Sequence, residues 1–143
     1  KIGRLDPVVR ARVEGADQVS SVEYLRRKAL LKHCGMEAVT AFTDVDILIT
    51  PTVAISPPLL AEVGNVADYG KANLLTLRNT SIGNLFGWCA LSMPVGLDSN
   101  RMPVGMQLIA PPMQEPRLLG AAAIIEKHLG NQYQLLGSAP QLS

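Results

Sequence analysis

Three short segments, residues 45–49, 90–94 and 104–110, are apolar at nearly every position, with β-branched side chains in the first and last. A strand with strict alternation can leave one face in water, whereas a continuous apolar run needs cover on both faces. Strands centred on Ile47, Leu91 and Leu108 would therefore need two covering layers, and 143 residues hold few helices to supply them. The expected fold class follows: α/β, with the chain supplying part of a mixed β-sheet wrapped by helices. Composition points the same way. Hydrophobic residues make up 48% and charged residues 17%, with a mean hydropathy of +0.19. A domain this small has much surface for its volume and ordinarily carries more polar residues. Either the chain buries apolar surface against a partner, or it is a portion of a larger core. Its first residue, Lys1 rather than Met, fits the second reading.

The remaining pattern is helical. Asp6 can cap a short helix with Pro7 in its first position, and Gly15 ends it. A long helix begins near Ser20 and Ser21. Val22, Leu25, Ala29, His33 and Met36 share one of its faces, while Leu30, Leu31, Cys34, Ala38 and Ala41 lie opposite. The spacing thus predicts a helix covered on much of its circumference. Residues 51–66, with Pro51, Pro57, Pro58 and Gly64, read as an irregular loop. A third helix is expected over 67–85, weakened by Gly70 and Gly83. A polar turn at 98–101 joins the second and third strands. Glu115-Pro116 opens a last helix whose buried stripe is Leu118, Ala122, Ile125 and Leu129, with Gly130 at a left-handed cap. The order is α-α-β-α-β-β-α, in one domain over residues 1–143.

Several function classes are disfavoured. Net charge is +1, and the 13 basic residues are scattered apart from Arg26-Arg27-Lys28, which reads as a solvated helix face. Nucleic-acid binding needs a basic stripe with interleaved aromatics, and aromatics are 4%, so no nucleic-acid partner is expected. No apolar run has the length of a membrane span and no charged-then-apolar leader opens the chain, so no membrane association is expected. Cys34 and Cys89 make no CxxC or metal-ligand spacing and read as reduced thiols of a cytoplasmic protein. Neither a metal nor a cofactor is expected.

Three motifs carry a family resemblance. Val45-Asp46-Ile47-Leu48-Ile49-Thr50-Pro51-Thr52 resembles the D-x-L-L-x-P-T strand of the amidase signature family. Thr80, Asn84, Gly87, Ala90, Ser92, Pro94 and Gly96 follow its T-x-x-x-N-x-x-G-x-P-A-x-S-x-P-x-G run. Pro103, Gly105, Gln107, Leu108 and Ile109, then Glu115, Leu118 and Leu119, follow its P-x-G-x-Q-L-I-x-x-x-x-x-E-x-x-L-L close. The resemblance covers the chain from about Leu5 to Leu129, in the order of that family's C-terminal part. It implies a mixed sheet wrapped by helices and hydrolysis or transfer at an amide bond. The family mechanism uses a serine nucleophile, a bridging serine and a lysine made neutral by burial, with backbone amides as the oxyanion hole. No Gly-Ser-Ser or Gly-x-Ser-x-Gly run occurs here. No catalytic residue is therefore assigned, and the catalytic set is expected in an N-terminal portion.

The resemblance implies that the third helix borders the acyl pocket, which makes Leu77, Thr80 and Asn84 the candidate substrate-binding residues. Thr80 and Asn84 stand one helical turn apart and point the same way. The structural alternative is that Thr80 bonds back to a carbonyl and Asn84 caps the helix end. Two departures bear on substrate. Relatives that amidate charged transfer RNA carry an acidic residue where this chain has Leu77, and the usual Gly-x-Pro appears as Gly87-Trp88-Cys89. Both hint at an apolar or small neutral amide, although Trp88 also reads as core. Arg10 and Arg12 lie where some relatives keep a carboxylate-binding arginine; alternatively they are exposed on a short helix. His33 and Cys34, being adjacent on a helix, diverge by about 100° and make no dyad, and His33 reads as a satisfied core histidine. Gln107 reads as a buried hydrogen-bond former.

Two functions follow. In the first, the chain is the C-terminal portion of a serine-dependent amidase, contributing sheet core and part of the acyl pocket. Its partners are then the N-terminal portion of the same protein and a small-molecule amide, and it belongs to a homo-oligomer. In the second, it is a free-standing, non-catalytic interaction module. Without a nucleophile or oxyanion hole, the polypeptide alone should turn over aryl and aliphatic amides at the uncatalysed rate. Turnover abolished by any single substitution within it would refute this assignment.

Overall fold

The computed structural model describes residues 2–138, apart from the side chains of Val8, Ala11, Arg12 and Asp17. The candidate Arg12 side chain thus lies outside the described residues. The chain divides into two compact units, Lys1–Glu37 and Ala38–Ser143.

In the first unit, Pro7 opens helix α1 (Pro7–Glu14), where its missing amide costs nothing and its fixed φ suits the first turn. Arg10 lies 3.9 Å from the Glu14 carboxylate one turn on, the exposed arrangement of the alternative reading. Helix α2 (Ser21–Ala38) is capped by the Ser20 hydroxyl, which accepts from the Glu23 amide at 3.2 Å. Glu23 also accepts from Arg26 at 2.8 and 3.0 Å and from Arg27 at 2.6 Å, and these two guanidinium groups hold its pKa at about 2. The expected cover is not observed. No residue of α2 is buried, and Val22 is 77% exposed. Both apolar flanks are present, but residues 2–37 contain no element broad enough to cover either. His33 is likewise exposed, with its Nε2 atom 3.4 Å from the Glu37 carboxylate, so it is not a core histidine.

The second unit is built on strands β1 (Leu48–Pro51), β2 (Cys89–Leu97) and β3 (Pro103–Ala110), antiparallel throughout in the order β1-β3-β2. Leu108, Ile109 and Ala110 of central β3 are fully or almost fully buried. The expectation that Leu108 lacks cover therefore fails, because α5 packs on its face and β3 has a paired strand on each edge. Helix α5 (Glu115–Leu129) lays Leu118, Ala122 and Ile125 on the face carrying Leu91, Met93, Met106 and Leu108. Strand β1 starts three residues later than expected and is not buried on both faces. As a short edge strand it alternates, and Ile49 is 56% exposed.

The polar turn is as read. Asp98 accepts from the Asn100 and Met102 amides, each at 2.8 Å, while Arg101 takes a left-handed φ of 60°. The register shifts between Pro94 and Gly96, where proline has no amide to donate and Gly96 adopts φ 149°. Pro116 starts α5 as expected. Gly130 caps the helix with the expected positive φ (102°), but its ψ of 161° lies outside the left-handed helical region, and a further helix α6 (Gln132–Leu136) follows. Its start is set by Asn131, whose side chain accepts from the Tyr133 and Gln134 amides, a signal the sequence reading missed.

The Asp98 carboxylate also accepts from the Ser56 hydroxyl at 2.6 Å. This bond, with the Met102 and Asn100 amides, holds its pKa below the ordinary carboxylate value. A carboxyl depressed in the folded state adds stability above its unfolded pKa and loses it as pH falls through the folded one. Ser56→Ala removes the largest cause and should move the Asp98 titration toward the ordinary range. An NMR titration of the Asp98 carboxyl checks this; an unmoved midpoint would show that the backbone amides alone set it.

Candidate functional site

The three sequence motifs, far apart along the chain, meet on one face of the sheet. Register places Thr50, Gln107 and Ser92 directly opposite one another across β1, β3 and β2. Residues so paired share a face, opposite to the one that receives α5. Past the end of β1 the Thr52 amide donates to the Gly105 carbonyl at 2.8 Å. The Thr52 and Ser92 hydroxyls then meet at 2.6 Å over Gly105. A Cβ on Gly105 would sit 2.8 Å from the Thr52 hydroxyl and 3.0 Å from that of Ser92, so the missing side chain is what lets this bridge form. Gln107 is buried, 2% exposed. Neither its Oε1 nor its Nε2 finds a hydrogen-bond partner among the described residues, and Thr50 Oγ1 does not either. It is thus buried as expected, with no hydrogen-bond partner among the described residues.

The expected single helix over 67–85 is two: α3 (Val66–Leu77) and α4 (Thr80–Phe86). The cause is local. The Leu77 carbonyl accepts from the Ser81 hydroxyl at 2.6 Å and from the Thr80 hydroxyl at 3.2 Å, while the Arg78 amide bonds back three residues to Leu75. Hydroxyls bonding to carbonyls a turn earlier interrupt the amide ladder. Backbone angles at Arg78 and Asn79 stay right-handed helical, so the helical path continues through the junction. Asn79 anchors it by donating to the Pro51 carbonyl at 2.7 Å, tying the helix to the end of β1.

Leu77 and Thr80 are therefore brought together around one carbonyl, with Leu77 46% exposed and Thr80 half-buried. Thr80 makes the backward bond that the structural reading foresaw. Asn84, one turn on, is exposed and does not cap the helix; left-handed Gly87 (φ 67°) ends α4 instead. Trp88 packs against Phe42 and Phe86, with ring centroids 4.9 and 5.1 Å apart, in an aromatic cluster. Sequence reasoning missed Asn79 and Ser81, which the polar run Asn79-Thr80-Ser81 could have flagged. It also missed Thr76, which lines a cleft of about 490 Å³ with Ile55, Pro57, Asp98, Val104 and Gly105. No sequence signal marked that cleft, because half its wall is irregular loop.

A family model, Amidase, matches residues 3–119. The chain belongs to the amidase signature family. It is 62% identical over 142 residues to a 2-amino-5-chloromuconic acid deaminase of Comamonas testosteroni, covering 99% of this chain and 30% of that protein. It is 30% identical over 116 residues to a fatty acid amide hydrolase of Arabidopsis thaliana, covering 78% of this chain and 18% of that protein. Among solved structures it matches a 6-aminohexanoate cyclic dimer hydrolase with a TM-score of 0.77 and 27% identity, over 87% of this chain and 28% of that one. The chain thus spans under a third of the length of these relatives. Its α/β class agrees with theirs, and its three strands are antiparallel.

The Thr52–Ser92 bridge gives a direct test of the site. Gly105→Ala should destabilise the protein by about 1–3 kcal/mol, because both hydroxyls must move and their mutual hydrogen bond is lost. Thr52→Ala in the same background should restore part of that loss. Thermal unfolding of the single and double variants checks both, and additive losses would show that the clash lies elsewhere.

Proposed function

We propose that the chain is the C-terminal portion of an amidase-family hydrolase acting on a carbon–nitrogen bond, and that the serine–serine–lysine set lies in the rest of the protein. The observation that carries this reading is the family match over residues 3–119, supported by relatives more than three times as long. A free-standing module is disfavoured because the 62% identity runs over almost the whole chain as part of a longer enzyme. In this reading Leu77, Thr80 and Asn84 border the acyl side of the substrate. That same relative supports a substrate of its class, an amino-substituted unsaturated dicarboxylic acid. Small neutral amides are the second class to assay. The free thiols Cys34 and Cys89 support a reducing, cytoplasmic setting.

Leu77 suits either substrate. A carboxylate at this position would repel an acidic substrate, and beside an apolar acyl group it would lie desolvated and unpaired. In the full-length protein, Leu77→Asp should lower kcat/KM about ten- to a hundredfold, which corresponds to a cost on the order of 1–3 kcal/mol. Leu77→Ala should be milder and act mainly on KM. Steady-state kinetics on both substrate classes, with circular dichroism confirming folding, provide the test. Unchanged kinetics in Leu77→Asp would remove this helix from the pocket.

A further inference from the structure

Helices α3 and α4 carry two cations, Lys71 and Arg78. Lys71 is taken by the Asp68 carboxylate at 3.4 Å. Arg78 is exposed and makes no ion pair among the described residues. Its guanidinium is nevertheless oriented. The Arg78 Nε donates to Asn79 Oδ1 at 3.3 Å, and Asn79 Nδ2 donates in turn to the Pro51 carbonyl at 2.7 Å. The orienting bond engages only Nε, so the two terminal nitrogens stay available as a planar pair of donors. Such a pair matches the two oxygens of one carboxylate.

The surroundings narrow the ligand further. At 100° per residue, Leu74, Arg78, Ser81 and Leu85 lie within about 60° of one another around the helical path, and Leu77 adjoins them about 40° from Ser81. All three leucines are exposed. The Ser81 hydroxyl is engaged by the Leu77 carbonyl and offers no donor to a ligand. This side of the helix therefore presents aliphatic contact and a single paired-donor charge. An inorganic anion would use only the charge, and a neutral amide only the aliphatic contact. An organic acid with an apolar carbon spine uses both.

We propose that Arg78 is a specificity-determining residue that binds one carboxylate of the substrate, with Leu74 and Leu77 against its carbon chain. The inference rests on the reading that this chain is part of a longer amidase-family hydrolase. Within that reading it selects the dicarboxylic class over neutral amides.

The test uses full-length protein and muconic acid (hexa-2,4-dienedioic acid), a dicarboxylate with no carbon–nitrogen bond to cleave. Its neutral counterpart is hexa-2,4-diene-1,6-diol. By isothermal titration calorimetry at pH 7, where both carboxyls are ionised, Arg78→Met should weaken muconate binding at least about tenfold and leave diol binding within about twofold. Lys127→Gln removes an equal charge from the last turn of α5 and should leave both unchanged. Wild-type affinity for muconate in Arg78→Met would overturn the proposal. A parallel loss for the diol, an equal loss in Lys127→Gln, or no muconate binding by the wild type would do the same. Circular dichroism confirms folding, and Arg78→Gln repeats the measurement if Arg78→Met does not fold. Arg78-dependent muconate binding in a protein that hydrolyses neither substrate class would leave the carboxylate site standing and remove only the enzymatic reading.

Discussion

Everything in the second unit depends on β3 being paired on both edges and covered on both faces. A central strand satisfies its backbone amides and carbonyls by ladder bonds on either side, so its side chains are free to be wholly apolar or, at one position, buried and polar. Residues 107–110 use both options. Leu108 and Ala110 go to the α5 face and Gln107 and Ile109 to the other, so a one-residue slip would exchange Gln107 for Leu108 in the apolar core. The register therefore has only one acceptable solution. The antiparallel hairpin with β2, closed by the Asp98 turn, fixes it through contacts local in sequence.

The polar face is where that constraint becomes a site. Glycine at position 105 lets β1's continuation and β2 approach closely enough for two hydroxyls to share a hydrogen bond, and that contact fixes where residues 51–53 run. From there Asn79 reaches the Pro51 carbonyl and holds the α3–α4 junction against the sheet end. The position of Leu77 and Thr80 is thus inherited, through two side-chain hydrogen bonds, from a missing Cβ on the central strand. Motif residues that look like scattered strand punctuation in sequence form one mechanical linkage in space.

How much of this was legible varied with the range of the interactions. The hairpin, its turn, the Ser20 cap and the start of α5 were readable because each is decided by residues within a few positions. The split of the third helix was not, although its cause is local. Periodicity registers apolar spacing and is blind to Ser81 taking the Leu77 carbonyl, an effect of polar residues within a good apolar pattern. Ile49 was misjudged because an apolar pattern cannot say which strand lies at the edge. His33 and α2 were misjudged for a different reason: the apolar pattern describes what a helix was selected to contact, and nothing within the first unit provides that contact. The unpaired amide of Gln107 was beyond sequence reasoning, since burial follows from pattern but pairing follows from geometry.

The same distinction bears on the proposal that this chain supplies support and a pocket wall while the reacting groups lie elsewhere in the protein. A nucleophile and its base must be held within hydrogen-bond reach of each other, a tight geometric requirement. A pocket wall has a looser requirement, a surface of the right polarity at the right distance, and a helix supplied from elsewhere in the chain can meet it. On the α3–α4 helix the Thr80 and Ser81 hydroxyls turn back onto the Leu77 carbonyl, and the aliphatic Leu74, Leu77 and Leu85 are exposed alongside the polar Arg78 and Asn84. The leucines discriminate by desolvation, accepting apolar atoms and penalising charge by leaving it unpaired. On the reading proposed above, leucine in place of the acidic side chain that some relatives carry at position 77 would change which substrates are tolerated without touching the reacting groups. In this arrangement selectivity can diverge while the sheet that positions it, fixed by Gly105 and the register of β3, stays the same.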